Sequence, residues 1–546
     1  MSDLLAGRAD IAAGLAVHGA DAVDGSAPAS VRAALVAADL PARLAAKDPT
    51  LWGPEAEATA RTGLGWLDTH ARSRELLPQL AELAEELADL DHVVLAGMGG
   101  SSLAPAVLAR TLGRPLTVLD TTDPGQLRAA LADRLERTVV VVASKSGGTV
   151  ETDSIRRAYL QAFLDAGMTE AEAARHFVVV TDPGSALEAV ADELGVVVIQ
   201  SDPEVGGRYS ALTAFGLTPS ALAGVPVADL LDDAEALAGA LDRDRDNPGL
   251  ALGAALAAAA TSGRATVALV SDGTGLDGLG DWVEQLLAES TGKGGRGILP
   301  VVVESPDAPG ATGPGVLTVG YGGALGPGAA PGPADVAVNG PLGAQFLTWE
   351  YATAIAAAVL DVDPFDQPDV AGSKEHTARL LAARPPAESP STTDGAIEVY
   401  APAGAPADLA GALRWLLDGL GDDGYLAVAA YLDRWADAAV AGLRPLLARA
   451  TPRPVTFGWG PRYLHSTGQY HKGGPRAGSH LQVTGGVADD LPVPGRPYTF
   501  GDLQAAQAAG DRRALADRGR PVLRLHLTER ATGVAQLLDA AGRTLT

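Results

Sequence analysis

Residues 137–152 read RTVVVVASKSGGTVET, an apolar run that ends in small hydroxyl residues and two glycines before a helical pattern begins. The run TVVVVA has no charged position, as in a strand that is covered on both faces within a parallel sheet. The loop after it carries the hydroxyl groups of Ser144, Ser146 and Thr149 and the backbone N–H groups of two glycines. Loops of this kind bind anions at helix N-termini, so this one predicts a ligand that bears a phosphate group.

Further short apolar runs lie on both sides of this strand in the sequence. They are HVVLAG, PLTVLD, FVVVTD and GVVVIQ, at 92–97, 115–120, 177–182 and 195–200. Helical patterns of about ten residues or more separate the runs, and this alternation predicts an α/β fold with a doubly wound parallel sheet. The run ATVALVS at 265–271 starts the same pattern again, so a second α/β domain is expected.

The chain length of 546 residues is too great for one hydrophobic core, so several domains are expected. A Pro- and Gly-rich tract at 305–343 is interpreted as a long surface excursion that contains two short strands. The predicted layout is a helical N-terminal extension (1–90), a first α/β domain (91–226), a helical connector (227–262), a second α/β domain (263–450) and a C-terminal segment (451–546).

Composition excludes several classes of function. A net charge of −26 argues against nucleic acid or an anionic membrane surface as partner. The absence of cysteine excludes disulfides, thiolate metal sites and cysteine nucleophiles. The longest apolar stretches, such as 251–260, are shorter than the roughly 20 residues that cross a bilayer. The N-terminus lacks the pattern of a secretion signal, so a cytoplasmic location is expected.

A second glycine-rich loop lies in HVVLAGMGGSSLAPAVLA, residues 92–109. It is similar to the turn of dinucleotide-binding folds, and Asp120 follows at the end of the next predicted strand, where an acid would bind ribose. Ser102, however, replaces the third glycine of that motif, which is a weak signal by itself. A nucleotide-dependent oxidoreductase therefore stays as an alternative. Two anion-binding loops at the same edge of one sheet favour a single sugar-phosphate site instead.

The two loops and three later segments together resemble the glucose-6-phosphate isomerase family, whose proteins are built from sugar isomerase domains. The five segments follow the family's order: GMGGSSLAP (97–105), SKSGGTVET (144–152), EVGGRYSALTAFGL (204–217), EQLLAESTGK (284–293) and PFDQPDVAGSK (364–374). The resemblance implies two sugar isomerase-type α/β domains that interconvert an aldose phosphate and a ketose phosphate, glucose 6-phosphate and fructose 6-phosphate.

The resemblance also implies roles for individual residues. Glu289 would move a proton between C2 and C1, Arg208 would stabilise the enediolate, and Lys374 would assist ring opening. The other residues expected at the substrate are Ser101, Ser144, Lys145, Ser146 and Thr149 at the phosphate, with Lys145 giving charge or a backbone contact, and Gln285 and Gln367 at the sugar. The segment before Lys374 departs from the commoner family pattern at Asp369 and Ala371.

The histidine that opens the sugar ring has no counterpart at its usual place, because no histidine lies between His176 and His376. The polar segment GPRYLHSTGQYHKGGP, residues 460–475, offers His465 and His471 instead. An imidazole titrates near neutral pH and suits this proton transfer. His471 is preferred, and His376 is the reserve. The segment resembles the isomerase half of bacterial fusions with transaldolase, here expected without the transaldolase part.

The family resemblance further implies that the reaction needs no cofactor and no metal, that the protein forms a homodimer, and that it acts in glycolysis and gluconeogenesis. The sequence does not decide whether mannose 6-phosphate is also a substrate. A second alternative is a noncatalytic regulator that binds a sugar phosphate through the same loops. Such a regulator would not need Glu289 and Arg208, so their presence disfavours it.

Overall fold

The structure, a computed structural model, describes residues 9–23, 27–326, 328–383 and 388–543. In these ranges the strands are β1 (Asp10–Ala12), β2 (Leu15–His18), β3 (His92–Gly97), β4 (Thr117–Leu119), β5 (Thr138–Ala143), β6 (Phe177–Thr181), β7 (Val197–Gln200), β8 (Thr266–Ser271), β9 (Leu299–Val303), β10 (Val316–Gly322), β11 (Val336–Asn339), β12 (Thr392–Asp394), β13 (Ile397–Tyr400), β14 (Tyr425–Tyr431), β15 (Val455–Trp459), β16 (Gly478–Gly485) and β17 (Val522–Leu527).

The α-helices lie mainly in the crossover connections between parallel strands. In chain order they are α1 (Ala27–Ala37), α2 (Leu40–Ala45), α3 (Glu57–Gly63), α4 (Thr69–Arg72), α5 (Leu77–Glu86), α6 (Leu103–Thr111), α7 (Pro124–Ala132), α8 (Val150–Asp165), α9 (Glu170–Ala174), α10 (Ala186–Leu194), α11 (Ala214–Leu222), α12 (Val227–Ala238), α13 (Pro248–Thr261), α14 (Leu279–Thr291), α15 (Leu342–Leu360), α16 (Ala371–Ala383), α17 (Leu409–Asp418), α18 (Leu443–Ala450), α19 (Gly468–Gly473), α20 (Phe500–Ala516) and α21 (Arg530–Arg543). None of the helices in the described ranges is both long and apolar enough to span a bilayer.

The first sheet has the order β4-β3-β5-β6-β7, and all of its strand pairs are parallel. This is the predicted doubly wound α/β arrangement. Strands β3 and β5 are buried at every position because helices cover both faces of the sheet. The two strands are neighbours, so the glycine-rich loops that follow them leave the same edge of the sheet side by side.

The second sheet has the order β1-β2-β11-β10-β8-β9. Strands β8, β9, β10 and β11 are parallel to one another. Strand β2 is antiparallel to β11, and β1 is antiparallel to β2. Strands β1 and β2 come from the predicted helical extension at the N-terminus. Strands β10 and β11 are the two predicted in the Pro- and Gly-rich tract. Both are fully buried inside the sheet, so the interpretation of that tract as a surface excursion is wrong for the strands.

A third sheet, of order β12-β13-β17-β16-β14-β15, was not predicted as a unit. Strands β17, β16, β14 and β15 are parallel, and β12 and β13 add an antiparallel edge. The sheet joins strands on both sides of the boundary expected at residue 450. The predicted domain boundaries themselves stay a prediction. The sheet brings the segment 460–475 back to the first two sheets.

Close helix packing in the second α/β unit depends on Gly343 in the first turn of α15. A Cβ at this position would overlap with the carbonyl oxygen of Leu230 in α12. We therefore expect Gly343→Ala to lower the free energy of unfolding by about 1–3 kcal/mol, because backbone atoms cannot move aside as a side chain can. Urea unfolding followed by circular dichroism measures the change.

The matched control is Gly239→Ala at the end of α12. Its φ is −69°, and an added Cβ there meets no atom of the described chain within 4 Å. This variant should stay within about 0.5 kcal/mol of the wild type. Equal stability of the two variants would show that the helix contact at Gly343 is not tight.

Candidate active site

The first glycine-rich loop interlocks with the segment that carries Arg208. A Cβ at Gly100 would overlap with the carbonyl oxygen of Gly207, so the two backbones pack directly against each other. Gly99 has a φ of 56°, in the left-handed region that favours glycine. This contact places Arg208 next to the carboxyl edge of the first sheet. Ser101, at the end of the 3-10 turn Gly99–Ser101, is 9% exposed.

The second loop forms a cradle of hydroxyl groups. The hydroxyls of Ser144 and Thr149 are 2.9 Å apart and hydrogen-bonded, and the Ser146 hydroxyl accepts from the N–H of Gly148 at 3.3 Å. Helix α8 begins directly after the loop, so its free N–H groups and the positive end of its dipole face the same region. The ammonium group of Lys145 instead pairs with Asp182 at 2.7 Å.

Glu289 lies in the last turn of α14 and is 6% exposed. Gln285, four residues earlier on the same helix face, donates from Nε2 to Glu289 Oε2 at 2.9 Å. The other carboxylate oxygen lies 3.5 Å from a guanidinium nitrogen of Arg208. Gln285 Oε1 is buried and has no hydrogen-bond partner within the described chain. A buried acceptor without a partner costs about 1–3 kcal/mol, which a ligand hydroxyl would recover.

Arg208 ties together two segments of the second α/β unit. Its guanidinium donates to the backbone carbonyls of Glu289 at 2.7 Å, Pro364 at 3.0 Å and Asp366 at 2.9 Å. A longer contact of 3.5 Å reaches Gln367 Oε1, which places that predicted residue beside the same group. A lysine could not make this set of contacts, because it lacks the planar fork of donors. Arg208 is therefore both a structural brace and the fixed positive charge nearest to the Glu289 carboxylate.

Lys293 adds a second cation behind Arg208. Burial and the charge of Arg208 lower the pKa of its amine to about 8, against the opposing effect of Asp366. The Lys293 ammonium lies 2.7 Å from the Asp366 carboxylate. Lys293 is the last residue of the motif 284–293, and no role was predicted for it.

His465 reaches the first α/β unit from the C-terminal part of the chain. Its Nε2 lies 2.9 Å from Glu151 Oε1 in the first turn of α8, and its backbone carbonyl accepts from Gln285 Nε2 at 2.9 Å. Gln507 of α20 donates to the same Glu151 oxygen at 2.6 Å. Burial raises the pKa of the Glu151 carboxyl, but the charge of His465 and hydrogen bonds outweigh it and lower the pKa overall. A continuous polar chain thus links Arg208 to Glu151.

A cavity of about 270 Å³ opens beside this network of polar groups. Its lining includes Ser146 and Thr149 of the cradle together with Glu151 and His465. Lys374, on the first turns of α16, is exposed and also lines the cavity, so the departures at Asp369 and Ala371 do not move it away. The volume is close to the lower end of small-ligand pockets, about 300 Å³.

Lys472 is a further cation at this cavity that the sequence analysis missed. It lines the cavity and pairs with Asp511 at 2.6 Å, and the side chains of both residues are essentially fully buried. Glu151 and Gln507 were not assigned roles either. Glu151 stands directly after the hydroxyl loop, which was a usable signal, whereas nothing in the sequence points to Gln507.

His471, the preferred candidate for ring opening, lies away from the cavity. It is 3% exposed, and its Nδ1 is 3.0 Å from the hydroxyl of Tyr425. Burial lowers its pKa to about 3, and the charges of Lys472 and Arg520 act in the same direction. The reserve candidate His376 pairs with Asp517 at 3.1 Å and does not line the cavity either. The structure therefore brings only His465 of the three into the polar chain.

The carboxylate of Asp120 forms ion pairs with two arginines from the C-terminal part of the chain. Arg434 approaches it at 2.8 Å and Arg462 at 3.3 Å, and its side chain is 2% exposed. To bind at Asp120, a ribose would have to displace the two arginines from this buried carboxylate. The geometry thus disfavours the alternative of a dinucleotide-dependent oxidoreductase at the first loop.

The parallel sheets and the two loops at one sheet edge define a sugar isomerase type of α/β protein. Residues 83–297 match the family model of phosphoglucose isomerase. The crystal structure of a glucose-6-phosphate isomerase from Chlamydia trachomatis aligns with 70% of this chain and 91% of its own, with a TM-score of 0.56 and 18% identity. That likeness shows the fold.

Curated relatives point to the same family. A probable glucose-6-phosphate isomerase of Haloarcula marismortui is 34% identical over 219 residues, which cover 39% of this chain and 50% of that protein. The glucose-6-phosphate isomerase of Rubrobacter xylanophilus is 35% identical over 254 residues, 42% of this chain and 57% of the relative. The chain thus spans about half the length of these relatives.

The buried His471 makes a prediction about acid stability. Its pKa of about 3 lies below the ordinary value of 6.5, so the unfolded chain takes up this proton first. The contribution of the neutral His471 to the stability of the folded state is complete above pH 6.5 and is lost as the pH falls toward 3. At pH 5 the loss is about 2 kcal/mol. The polar groups around the imidazole are Tyr425, Tyr463, Tyr470, Lys472, His480 and Arg520.

We expect His471→Gln to remove this part of the pH dependence. Between pH 7 and pH 5 the free energy of unfolding should fall less for the variant than for the wild type, by about 2 kcal/mol. Urea unfolding at each pH measures the difference. Between pH 7 and pH 8 the two proteins should change in parallel, which is the internal control. Equal slopes between pH 7 and pH 5 would contradict a neutral, buried His471.

Proposed function

We propose that the protein is an isomerase that interconverts glucose 6-phosphate and fructose 6-phosphate through a cis-enediolate. The observation that carries the proposal is the Glu289 carboxylate, which is buried, held by Gln285 and placed beside Arg208. The match of residues 83–297 to the phosphoglucose isomerase family model supports the same reaction. Proton transfer between adjacent carbons requires one base that reaches both carbons and one positive charge beside the enediolate.

Glu289 is the proposed base that takes the proton from C2 and returns it to C1. The hydrogen bond from Gln285 fixes one carboxylate oxygen, and the other, 3.5 Å from Arg208, is proposed to face the substrate. The unpartnered Oε1 of Gln285 is placed to accept from a sugar hydroxyl. Arg208 beside the carboxylate, with Lys293 next to it, is proposed to supply the positive charge that stabilises the enediolate oxygen.

The phosphate of the substrate is proposed to bind in the cradle of Ser144, Ser146 and Thr149 at the start of α8, with Ser101 from the neighbouring loop. Hydroxyls, backbone N–H groups and the helix dipole all favour an anion there. Lys145 would contribute its backbone rather than its charge, since Asp182 already neutralises its ammonium group.

Ring opening needs a group that moves the proton of the ring oxygen. We propose His465 for this step rather than His471, because His465 lines the cavity and is held by Glu151. The carboxylate of Glu151 fixes the orientation of the imidazole. Lys374, in the same cavity, is proposed to assist. Gln367 is proposed as a sugar contact through its place beside Arg208.

The family resemblance also supports a role in glycolysis and gluconeogenesis, a cytoplasmic location and a homodimer. These remain proposals, and sedimentation of the purified protein tests the dimer. The competing proposal of a noncatalytic regulator would not explain why Glu289 and Gln285 form a buried, hydrogen-bonded pair.

Glu289→Gln tests the base. We expect kcat to fall at least about a hundredfold, because the amide cannot accept the C2 proton, while fructose 6-phosphate still binds. NMR of glucose 6-phosphate in D₂O should show deuterium at C2 and formation of fructose 6-phosphate with the wild type, and neither with the variant. Glu82→Gln, at an exposed position of α5, is the control. A rate near that of the wild type would refute the assignment. Substrate binding without any exchange by the wild type would favour the regulator.

His465→Gln tests the ring-opening step. We expect it to slow the cyclic substrate at least about tenfold and to leave an aldose phosphate too short to close a ring nearly unaffected. Glu151→Gln should act in the same direction, since it removes the partner of the imidazole. His471→Gln, outside the cavity, should retain kcat within about threefold at pH 7. Equal slowing of both substrates by His465→Gln would contradict the role, and a larger effect at His471 would reverse the choice.

A further inference from the structure

A second cavity, of about 560 Å³, lies between the first, second and third sheets and shares no wall residue with the cavity described above. Five arginines and three carboxylates line it. One of the three, Glu284, has its pKa raised well above the ordinary value by burial and by the nearby Asp281. In a chain of net charge −26, a cavity with an excess of positive charge favours an anionic ligand.

The arginines of this cavity divide into two groups. Arg434, Arg444 and Arg462 are ion-paired with acidic residues and fix the walls. Arg110 and Arg114, at the end of α6 and just after it, are exposed and lie on the rim. No ion pair within 4.0 Å is found for these two in the described chain. Their guanidinium groups are therefore available to bind an anionic group of a ligand.

Aromatic rings form another part of the wall. Phe457 and Trp459 of β15 are partly exposed and pack edge to face, with ring centres 5.1 Å apart. Trp435 also lines the cavity and is 44% exposed, an unusual degree for an indole. Partly exposed indole rings beside arginines offer a stacking surface for a planar base.

We propose that this cavity binds a mononucleotide, with the base against Trp435 and Trp459 and the phosphate groups on Arg110 and Arg114. A sugar phosphate would satisfy the arginines and leave the aromatic wall without a planar partner. The volume lies within the range of about 300–1,000 Å³ that is usual for small-ligand sites.

Two structural elements connect this cavity with the candidate active site. Asp281 and Glu284 of α14 face the cavity, and Gln285 and Glu289 of the same helix face the site. Arg462 begins the short turn that ends in His465, and it pairs with Asp281 at 3.2 Å. A ligand that shifts these two elements would therefore change the positions of the proposed base and the proposed ring-opening group. This regulatory part rests on the proposed isomerase function, whereas binding of the nucleotide does not.

ADP, without metal, is the probe for binding. We expect saturable quenching of tryptophan fluorescence, confirmed by calorimetry and weakened by added salt. Arg110→Ala and Arg114→Ala should each reduce the affinity at least about tenfold, because each removes charge-assisted hydrogen bonds. Both residues are exposed, so the variants should fold. Arg414→Ala, an exposed arginine on α17, is the control and should bind as the wild type does.

Three results would overturn the binding proposal. They are no saturable binding at millimolar ADP, equal affinity for ADP and inorganic phosphate, and complete displacement of ADP by fructose 6-phosphate with no effect of the rim variants. Glu289→Gln should bind ADP as tightly as the wild type, so failure of the isomerase proposal leaves this test intact.

The regulatory part has a separate readout. Saturating ADP should change the affinity for fructose 6-phosphate by about fivefold or more, and fructose 6-phosphate should change the affinity for ADP by the same factor. Arg114→Ala should shift the effect of ADP to concentrations at least about tenfold higher while leaving the basal rate unchanged. Binding of ADP with no change in either affinity would overturn regulation through α14.

Discussion

The guanidinium group of Arg208 holds the candidate site together through hydrogen bonds to the backbone carbonyls of Glu289, Pro364 and Asp366. One side chain from the first α/β unit thereby fixes the end of α14 and the segment that leads to Lys374. These bonds form only because the loop at Gly100 lets the backbone of Gly207 approach. The position of the carboxylate, the second cation Lys293 and the sugar contacts all depend on this arrangement.

Much of the first α/β unit could be predicted from the sequence because the information is local. Strands such as β3 and β5 are apolar at every position, and the glycines and hydroxyls after them are adjacent in sequence. The third sheet could not be predicted in the same way. Its antiparallel edge pairs β13 with β17, for example Ile397 with Leu527, and nothing local specifies a pairing of positions so far apart in the chain. The buried strands β10 and β11 were obscured by the Pro and Gly residues around them.

The candidate site shows the same division. Glu289, Arg208 and the phosphate cradle follow from motifs, each of which is read within a few residues. The partner of His465 is Glu151, 314 residues earlier in the chain, and only the folded structure pairs them. The two histidines of the segment 460–475 look equivalent in sequence. Burial separates them, since it places His471 among tyrosines and leaves His465 at the cavity.

The dispersion of this site along the chain has a consequence for its biosynthesis. The phosphate cradle, Arg208 and Glu289 are all made within the first 289 residues, whereas His465 and Gln507 emerge much later. A nascent chain therefore carries the hydroxyl loop, Arg208 and Glu289 before it has the group proposed to open the ring. Full assembly of the site must wait for the third sheet, whose β17 ends at Leu527. A ligand that binds only the assembled site would then favour docking of that last unit in the final stage of folding.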